Sequence, residues 1–235
     1  MIRSFIYDAL ILRLTSHWYA EVLERVPEGA ALLDVGIGTA GALLSNADLV
    51  RQKDLRVTGI DIDAEYAETA RRRLGDSLLR EHVSVRLESV YDHQGGPYDA
   101  ICFSGSLMLL PEPEAALRHC RGLLGPDGRI YLTLTIEMHP SRWMELIKPR
   151  LKWLTSIDFG VVTYEERLRG QLTAAGLELE EFTILAHQRK GRASSVVVAR
   201  RAEVITDGTG TGTGAGAEAE MHCGRPILPG PSEAI

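Results

Sequence analysis

Two carboxylates and a run of glycines are the residues of this chain whose types and spacing best suit ligand chemistry. Asp34 stands inside the apolar run Ala31-Leu32-Leu33-Asp34-Val35, and the turn Gly36-Ile37-Gly38-Thr39-Ala40-Gly41 follows at once. Glycines at such a turn let the backbone bend sharply and let a ligand approach the main chain closely. A carboxylate inside an apolar strand is costly unless something pairs with it. Beside a pyrophosphate it would be repulsive, so its natural partner is a ligand that carries positive charge. Asp61 closes a second apolar run, Thr58-Gly59-Ile60-Asp61-Ile62-Asp63, where a carboxylate can take both hydroxyls of a ribose. Asp63 is better placed to cap the helix that follows.

These groups need elements to hold them. Short apolar runs of strand length recur at Ala31–Val35, Val57–Ile60, Val83–Leu87, Ala100–Phe103 and Ile130–Thr135, with helical stretches between them at Gly41–Leu49, Ala64–Leu79 and Glu112–Leu124. That alternation predicts an α/β fold with a doubly wound, mostly parallel sheet. Ile2, Ile6, Leu10 and Leu14 predict an amphipathic helix over Met1–Leu14, and a second N-terminal helix runs from Ser16 or His17 to Val26. Further on, Ser141–Leu154 reads as a helix, and Thr163-Tyr164-Glu165-Glu166 opens another that Gly176 closes. Leu177–His187 and Ser194–Arg200 make a closing antiparallel hairpin, for seven strands in all. From about Glu203 the chain turns to Thr, Gly and Ala, a composition that buries too little apolar surface to order itself. The domain is therefore predicted over residues 1–202 (N-terminal helices to 28, core from 29), and 203–235 as a disordered tail.

Four segments in this order resemble the class I S-adenosylmethionine-dependent methyltransferases, of the kind that act on small molecules. They are Leu32-Leu33-Asp34-Val35-Gly36-Ile37-Gly38-Thr39, Gly59-Ile60-Asp61-Ile62-Asp63, Pro97-Tyr98-Asp99-Ala100-Ile101-Cys102-Phe103-Ser104 and Leu123-Leu124-Gly125-Pro126-Asp127-Gly128-Arg129-Ile130. The resemblance implies S-adenosyl-L-methionine as cofactor. Gly36 and Gly38 would pass its methionine moiety, and Asp34 would fix the loop or the amino group. Asp61 would hold the ribose and Ile62 would pack on the adenine. Ser89 and Val90 fall nearest the position where the family carries an aspartate for the adenine amine, with Asp92 as the alternative. Ser104 would border the sulfonium. Similar enzymes fold N-terminal helices over the cofactor as a lid.

The acceptor side follows mainly by exclusion. Ser104-Gly105-Ser106-Leu107 is not the Asp/Asn-Pro-Pro-aromatic motif of nucleobase amine methylation, and no Pro-Cys pair offers a cytosine-attacking thiol. Cys102, Cys120 and Cys223 form no metal cluster or disulfide framework, which points to a reducing, cytoplasmic compartment. A net charge of -6 does not favour nucleic acid, and no apolar run reaches the 18 residues of a membrane span. A small metabolite remains, attacked through N, O or S; assembly as a homodimer stays open. His139, after the fifth strand, and Tyr7 are the candidate catalytic groups. His17, Tyr19, Met108 and Trp143 are candidate acceptor contacts, with Trp18 and Leu109 beside them. Trp143 belongs to a basic, aromatic helix with Arg142, Lys148, Arg150, Lys152 and Trp153, which suits an anionic substrate, a membrane surface or an ordinary solvated face. An NAD(P)-dependent oxidoreductase shares the glycine loop and the ribose acid, and a non-catalytic binding module shares the fold. Asp34 and the closing hairpin speak against the first, the intact loop against the second.

Overall fold

The computed structural model describes residues 16–137, 165–188 and 192–203. The chain divides into Met1–Ala202 and Glu203–Ile235, and the fold that follows belongs to the first unit. The predicted helices Met1–Leu14 and Ser141–Leu154 lie outside the described residues, as do Tyr7, His139, Trp143 and nearly all of the Thr/Gly-rich tail.

Helix α1 spans residues 16–25. It is followed by β1 (Ala31–Val35), α2 (Gly41–Leu44), α3 (Ala47–Gln52), β2 (Arg56–Asp61), α4 (Ala64–Gly75), β3 (Val83–Leu87) and β4 (Tyr98–Ser104). A 3-10 turn at Leu107–Leu109, α5 (Pro113–Leu123), β5 (Leu124–Glu137), α6 (Glu165–Ala174), β6 (Leu177–Gln188) and β7 (Arg192–Arg201) complete the order. The seven strands form one sheet in the order β3-β2-β1-β4-β5-β7-β6. Strands β1 to β5 pair in parallel, and β7 runs antiparallel to both β5 and β6. The order reverses between β1 and β4, so the crevice beyond their carboxyl ends is where such a sheet receives a ligand.

The central strands β1 and β4 are mostly buried and apolar because both faces are covered. On one face Tyr19, Val22 and Leu23 of α1 join Leu43, Val50 and Leu74 over Leu32, Val57 and Cys102. On the other, Leu117 and Cys120 of α5 and Leu168 and Leu172 of α6 cover Leu33, Ile101, Phe103 and Leu132. Helix α1 is thus part of the packed layer: Trp18, Tyr19, Val22 and Leu23 are all buried. Among the described residues no helix is long and apolar enough to cross a membrane.

The elements depart from expectation where side chains compete with the helical ladder. The helix predicted over Gly41–Leu49 is two short ones, because Ser45 Oγ and Asn46 Nδ2 bond the carbonyls of Gly41 and Ala42, and Asn46 also donates to Ser16 O at 3.0 Å. Helix α4 stops at Gly75, short of Leu79, where Ser77 Oγ donates to Leu74 O and accepts from the Leu79 amide. Strand β5 begins at Leu124, six residues before the predicted Ile130. Leu124 pairs with Tyr98 and Arg129 with Ala100, so the Gly125–Gly128 turn bulges out of a continuous strand. A Cβ at Gly128 would stand 2.7 Å from the Tyr98 carbonyl, so glycine is required there.

Candidate functional site

The glycine loop is built from backbone that side chains disfavour. Gly36, Gly38 and Ala40 have φ of 80°, 58° and 58°, all left-handed. Each glycine serves a different need. A Cβ on Gly36 would meet Ser106 Cβ at 2.7 Å, whereas a Cβ on Gly38 would meet nothing within 4 Å. The first therefore permits two backbones to close on each other, and the second leaves open space over the loop. Ser106 Oγ donates to Val35 O at 2.5 Å and fastens the segment after β4 to the start of the loop. Gly59, opposite Asp34 in the sheet, makes room for Ile37, whose Cδ1 would lie 2.3 Å from a Cβ there.

Asp61 links the loop to β2. Its Oδ2 accepts from the Gly38 amide and its Oδ1 from the Asp63 amide, both at 2.9 Å. Asp63 caps α4 by accepting from the amides of Glu65 and Tyr66, as expected. Next to Asp61, Ile62 is 76 % exposed, an isolated apolar side chain beside an acidic one. That juxtaposition suits a nucleoside, with sugar hydroxyls on the carboxylate and the base against Ile62.

Asp34 is 2 % exposed and faces α1. Its Oδ2 accepts from the Tyr19 hydroxyl at 2.6 Å, while Oδ1 is buried without a hydrogen-bond partner among the described residues. Burial pushes its carboxyl up to about 7; the Tyr19 bond opposes that rise and the charge of Asp61 adds to it. An orphaned buried oxygen at the mouth of a glycine loop fits a cationic ligand group. Burial, with Asp34 adjacent, also raises the thiol of Cys102 well above its usual range, so it is protonated and inert. The residues therefore fit S-adenosylmethionine: Asp34 for the ammonium, Gly38 for the close approach, Asp61 for the ribose and Ile62 for the adenine.

The remaining predicted positions divide. Ser104, at the end of β4, accepts from Thr133 Oγ1 at 3.2 Å and borders the crevice. Ser89 accepts from the Tyr91 amide in a tight turn, and Asp92 is exposed. The Val90 side chain is in the core at 3 % exposure, which leaves its backbone alone for a ligand. Met108 is half-buried and Leu109 exposed at 57 %, on the apolar rim beyond β4. His17 is exposed on α1, whereas Tyr19 is sealed against Asp34 and presents no surface to an acceptor.

Three features had no reading in the sequence: the Tyr19–Asp34 bond, the Ser106 clasp, and a buried hydrogen-bonded relay between β3 and β4. In that relay His93 is fully buried, its Nδ1 3.1 Å from Glu88 Oε2 and its Nε2 2.9 Å from the Tyr98 hydroxyl. His119 donates to the His93 carbonyl at 2.6 Å. No pattern of spacing marks these contacts, which depend on which faces the fold brings together.

A family described as a methyltransferase domain matches residues 33–130, from β1 into β5. The ubiquinone biosynthesis O-methyltransferase of Xanthomonas axonopodis pv. citri (strain 306) is 30 % identical over 170 residues, 69 % of this chain and 68 % of that protein. The enzyme of the same name from Xylella fastidiosa (strain 9a5c) is 32 % identical over 176 residues, 71 % of this chain and 69 % of its own. Among solved structures, the [4+2]-cyclase SpnF is similar with a TM-score of 0.63 and 18 % identity, covering 81 % of each chain. Geranyl diphosphate C-methyltransferase from Streptomyces coelicolor A3(2) has a TM-score of 0.62 at 17 % identity, over 78 % of this chain and 76 % of its own. At those identities the two structures speak for the fold alone, and their different reactions show how far one fold can range. With the loop, the paired carboxylates and the two bacterial relatives together, the chain belongs to the class I S-adenosylmethionine-dependent methyltransferases.

Proposed function

We propose that this methyltransferase acts on an oxygen of a small, largely apolar acceptor. The observation that carries this is a small groove, open to solvent and with about 90 Å3 of cavity, just beyond Ser104, lined by Leu107, Met108, Leu110, Pro111, Pro113 and Leu134. Arg167 and Gln171 are the polar side chains on its wall. An aromatic or alkyl body suits that lining, and oxygen is the methylated atom in the names of the relatives, which are O-methyltransferases. The chain's net charge of -6 favours a small molecule over nucleic acid as acceptor. The free thiols of Cys102 and Cys120 suit a reducing, cytoplasmic setting.

When bound, S-adenosylmethionine supplies a methyl carbon that an oxygen lone pair attacks in line, forming the C–O bond as the C–S bond breaks and S-adenosylhomocysteine leaves. The protein's share is placement and exclusion of water. Asp34, Gly38 and Asp61 hold the two ends of the cofactor, Ser104 and Ser106 fix the segment beside the transferred carbon, and the apolar rim receives the acceptor. A phenolic or enolic oxygen gives up a proton, and His139 and Tyr7 are the groups proposed to take it. Trp143 and His17 are proposed to contact the acceptor's body.

The test is transfer of labelled methyl from S-adenosylmethionine to matched panels of apolar phenols, amines and thiols. Ethers as the main products support the reading. Products methylated on nitrogen or sulfur alone contradict it. Met108→Asp should raise the acceptor KM severalfold and leave the cofactor Kd unchanged.

A further inference from the structure

One buried contact ties an element outside the glycine loop to Asp34. Tyr19 lies on α1, 2 % exposed, and its hydroxyl donates to Oδ2 of Asp34, itself 2 % exposed. We propose that Tyr19 is a positioning residue for cofactor binding: it occupies one oxygen of Asp34, leaves the other to the ammonium of the methionine moiety, and so makes affinity for that end of the cofactor depend on the seat of α1. This rests on the reading of Asp34 as the ammonium's partner.

The surroundings of Asp34 leave this task to Tyr19. Cys102 sits opposite it on β4, and Asp61 approaches from the end of β2. One is a thiol and the other a like charge, so neither stabilises a carboxylate. Among the described residues no ion pair reaches Asp34; the Tyr19 hydroxyl is the donor it has. Removing that donor favours the neutral acid, which holds an ammonium weakly. Helix α1 is well fixed for such a role. Lys53 Nζ donates to the carbonyls of Leu23, Glu24 and Val26 at its carboxyl end, and Asn46 bonds the carbonyl of Ser16, its first described residue. A hydroxyl at residue 19, between contacts at residues 16 and 23–26, has little freedom to leave its acceptor.

The experiment compares two ligands by calorimetry on the full chain: S-adenosylhomocysteine, which keeps the ammonium, and methylthioadenosine, which lacks it. Tyr19→Phe should weaken S-adenosylhomocysteine about tenfold near neutral pH, the size expected for a lost bond to a charged group. The loss should shrink as pH rises, and methylthioadenosine should change by less than about twofold. Equal weakening of both ligands, or none, overturns the proposal, because a merely structural tyrosine would not distinguish them. Asp34→Asn separates the two levels of the argument. If it leaves the preference for S-adenosylhomocysteine intact, the reading of Asp34 falls and the proposal with it. If it abolishes the preference while Tyr19→Phe does not, the role of Tyr19 alone falls. Site-specific fluorotyrosine at position 19 keeps the ring and acidifies the donor, so it should move the midpoint of the binding–pH curve to lower pH. An unmoved midpoint counts against the proposal.

Discussion

The Gly38 amide donates to Oδ2 of Asp61 at 2.9 Å, so the glycine loop after β1 and the acidic end of β2 brace each other. The same carboxylate is the proposed ribose ligand, and it keeps lone pairs on both oxygens for that purpose. Asp61→Ala removes the brace and the ligand together. Cofactor affinity should fall by more than about tenfold, as for loss of charge-assisted hydrogen bonds. Calorimetric titration measures it, and an unchanged Kd would remove Asp61 from the site.

Gly36 and Gly38 should respond differently to the same substitution. Gly36→Ala drives a Cβ into Ser106 and adds left-handed strain, so the fold itself should lose about 1–3 kcal/mol. Gly38→Ala meets open space and should cost the fold only about 1 kcal/mol for its positive φ. Its methyl would stand where the ligand approaches, so binding should suffer most at Gly38 and stability most at Gly36. Denaturant unfolding and cofactor titration of both variants decide this; the reverse ranking would contradict the assignment.

Asp34 gives stability a pH signature. Its carboxyl is raised in the folded protein from 3.8 to about 7, so the native state holds a proton that the unfolded chain releases. Its contribution is therefore full at acid pH below both values. It is lost as pH climbs from about 4 through 7, and is flat beyond, a change on the order of a few kcal/mol. Asp34→Asn should remove that part of the slope from unfolding curves of the cofactor-free protein. Parallel slopes in variant and wild type would show that Asp34 does not titrate in this window.

The His93 relay between β3 and β4 should matter for folding and not for chemistry. Tyr98→Phe leaves Nε2 of the fully buried His93 without its 2.9 Å partner. An unsatisfied buried polar group costs about 1–3 kcal/mol. A lowered unfolding midpoint with methyl transfer unchanged below it is the expected outcome. Normal stability with lost activity would move the relay into the active site.

The cofactor half of this protein is largely legible in its sequence, and the acceptor half much less so. Asp34, Gly36 and Gly38 are bound by a local rule: a strand end, a tight turn and a helix start must lie close in the chain, so spacing carries the geometry, while Asp61 is marked by its place at the end of the next strand. The mostly parallel sheet follows from the alternation of strands and helices. Tyr19 shows where that logic stops. Its number places it on an N-terminal helix, but its partner is 15 residues away across a packed layer, and the sequence suggested an acceptor contact instead. Ser106 likewise acts through a contact between distant segments, set by packing and invisible to periodicity. The breaks after Leu44 and Gly75 were missed because single Asn and Ser side chains, not the apolar pattern, end those helices.

The most direct test of the central claim is hydrogen exchange on the full chain with and without S-adenosylmethionine. The account predicts slowed exchange concentrated in the amides of residues 36–41 and 61–63, the loop after β1 and the end of β2. Exchange unchanged at both segments under saturating cofactor, or protection confined to other parts of the sheet, would contradict it.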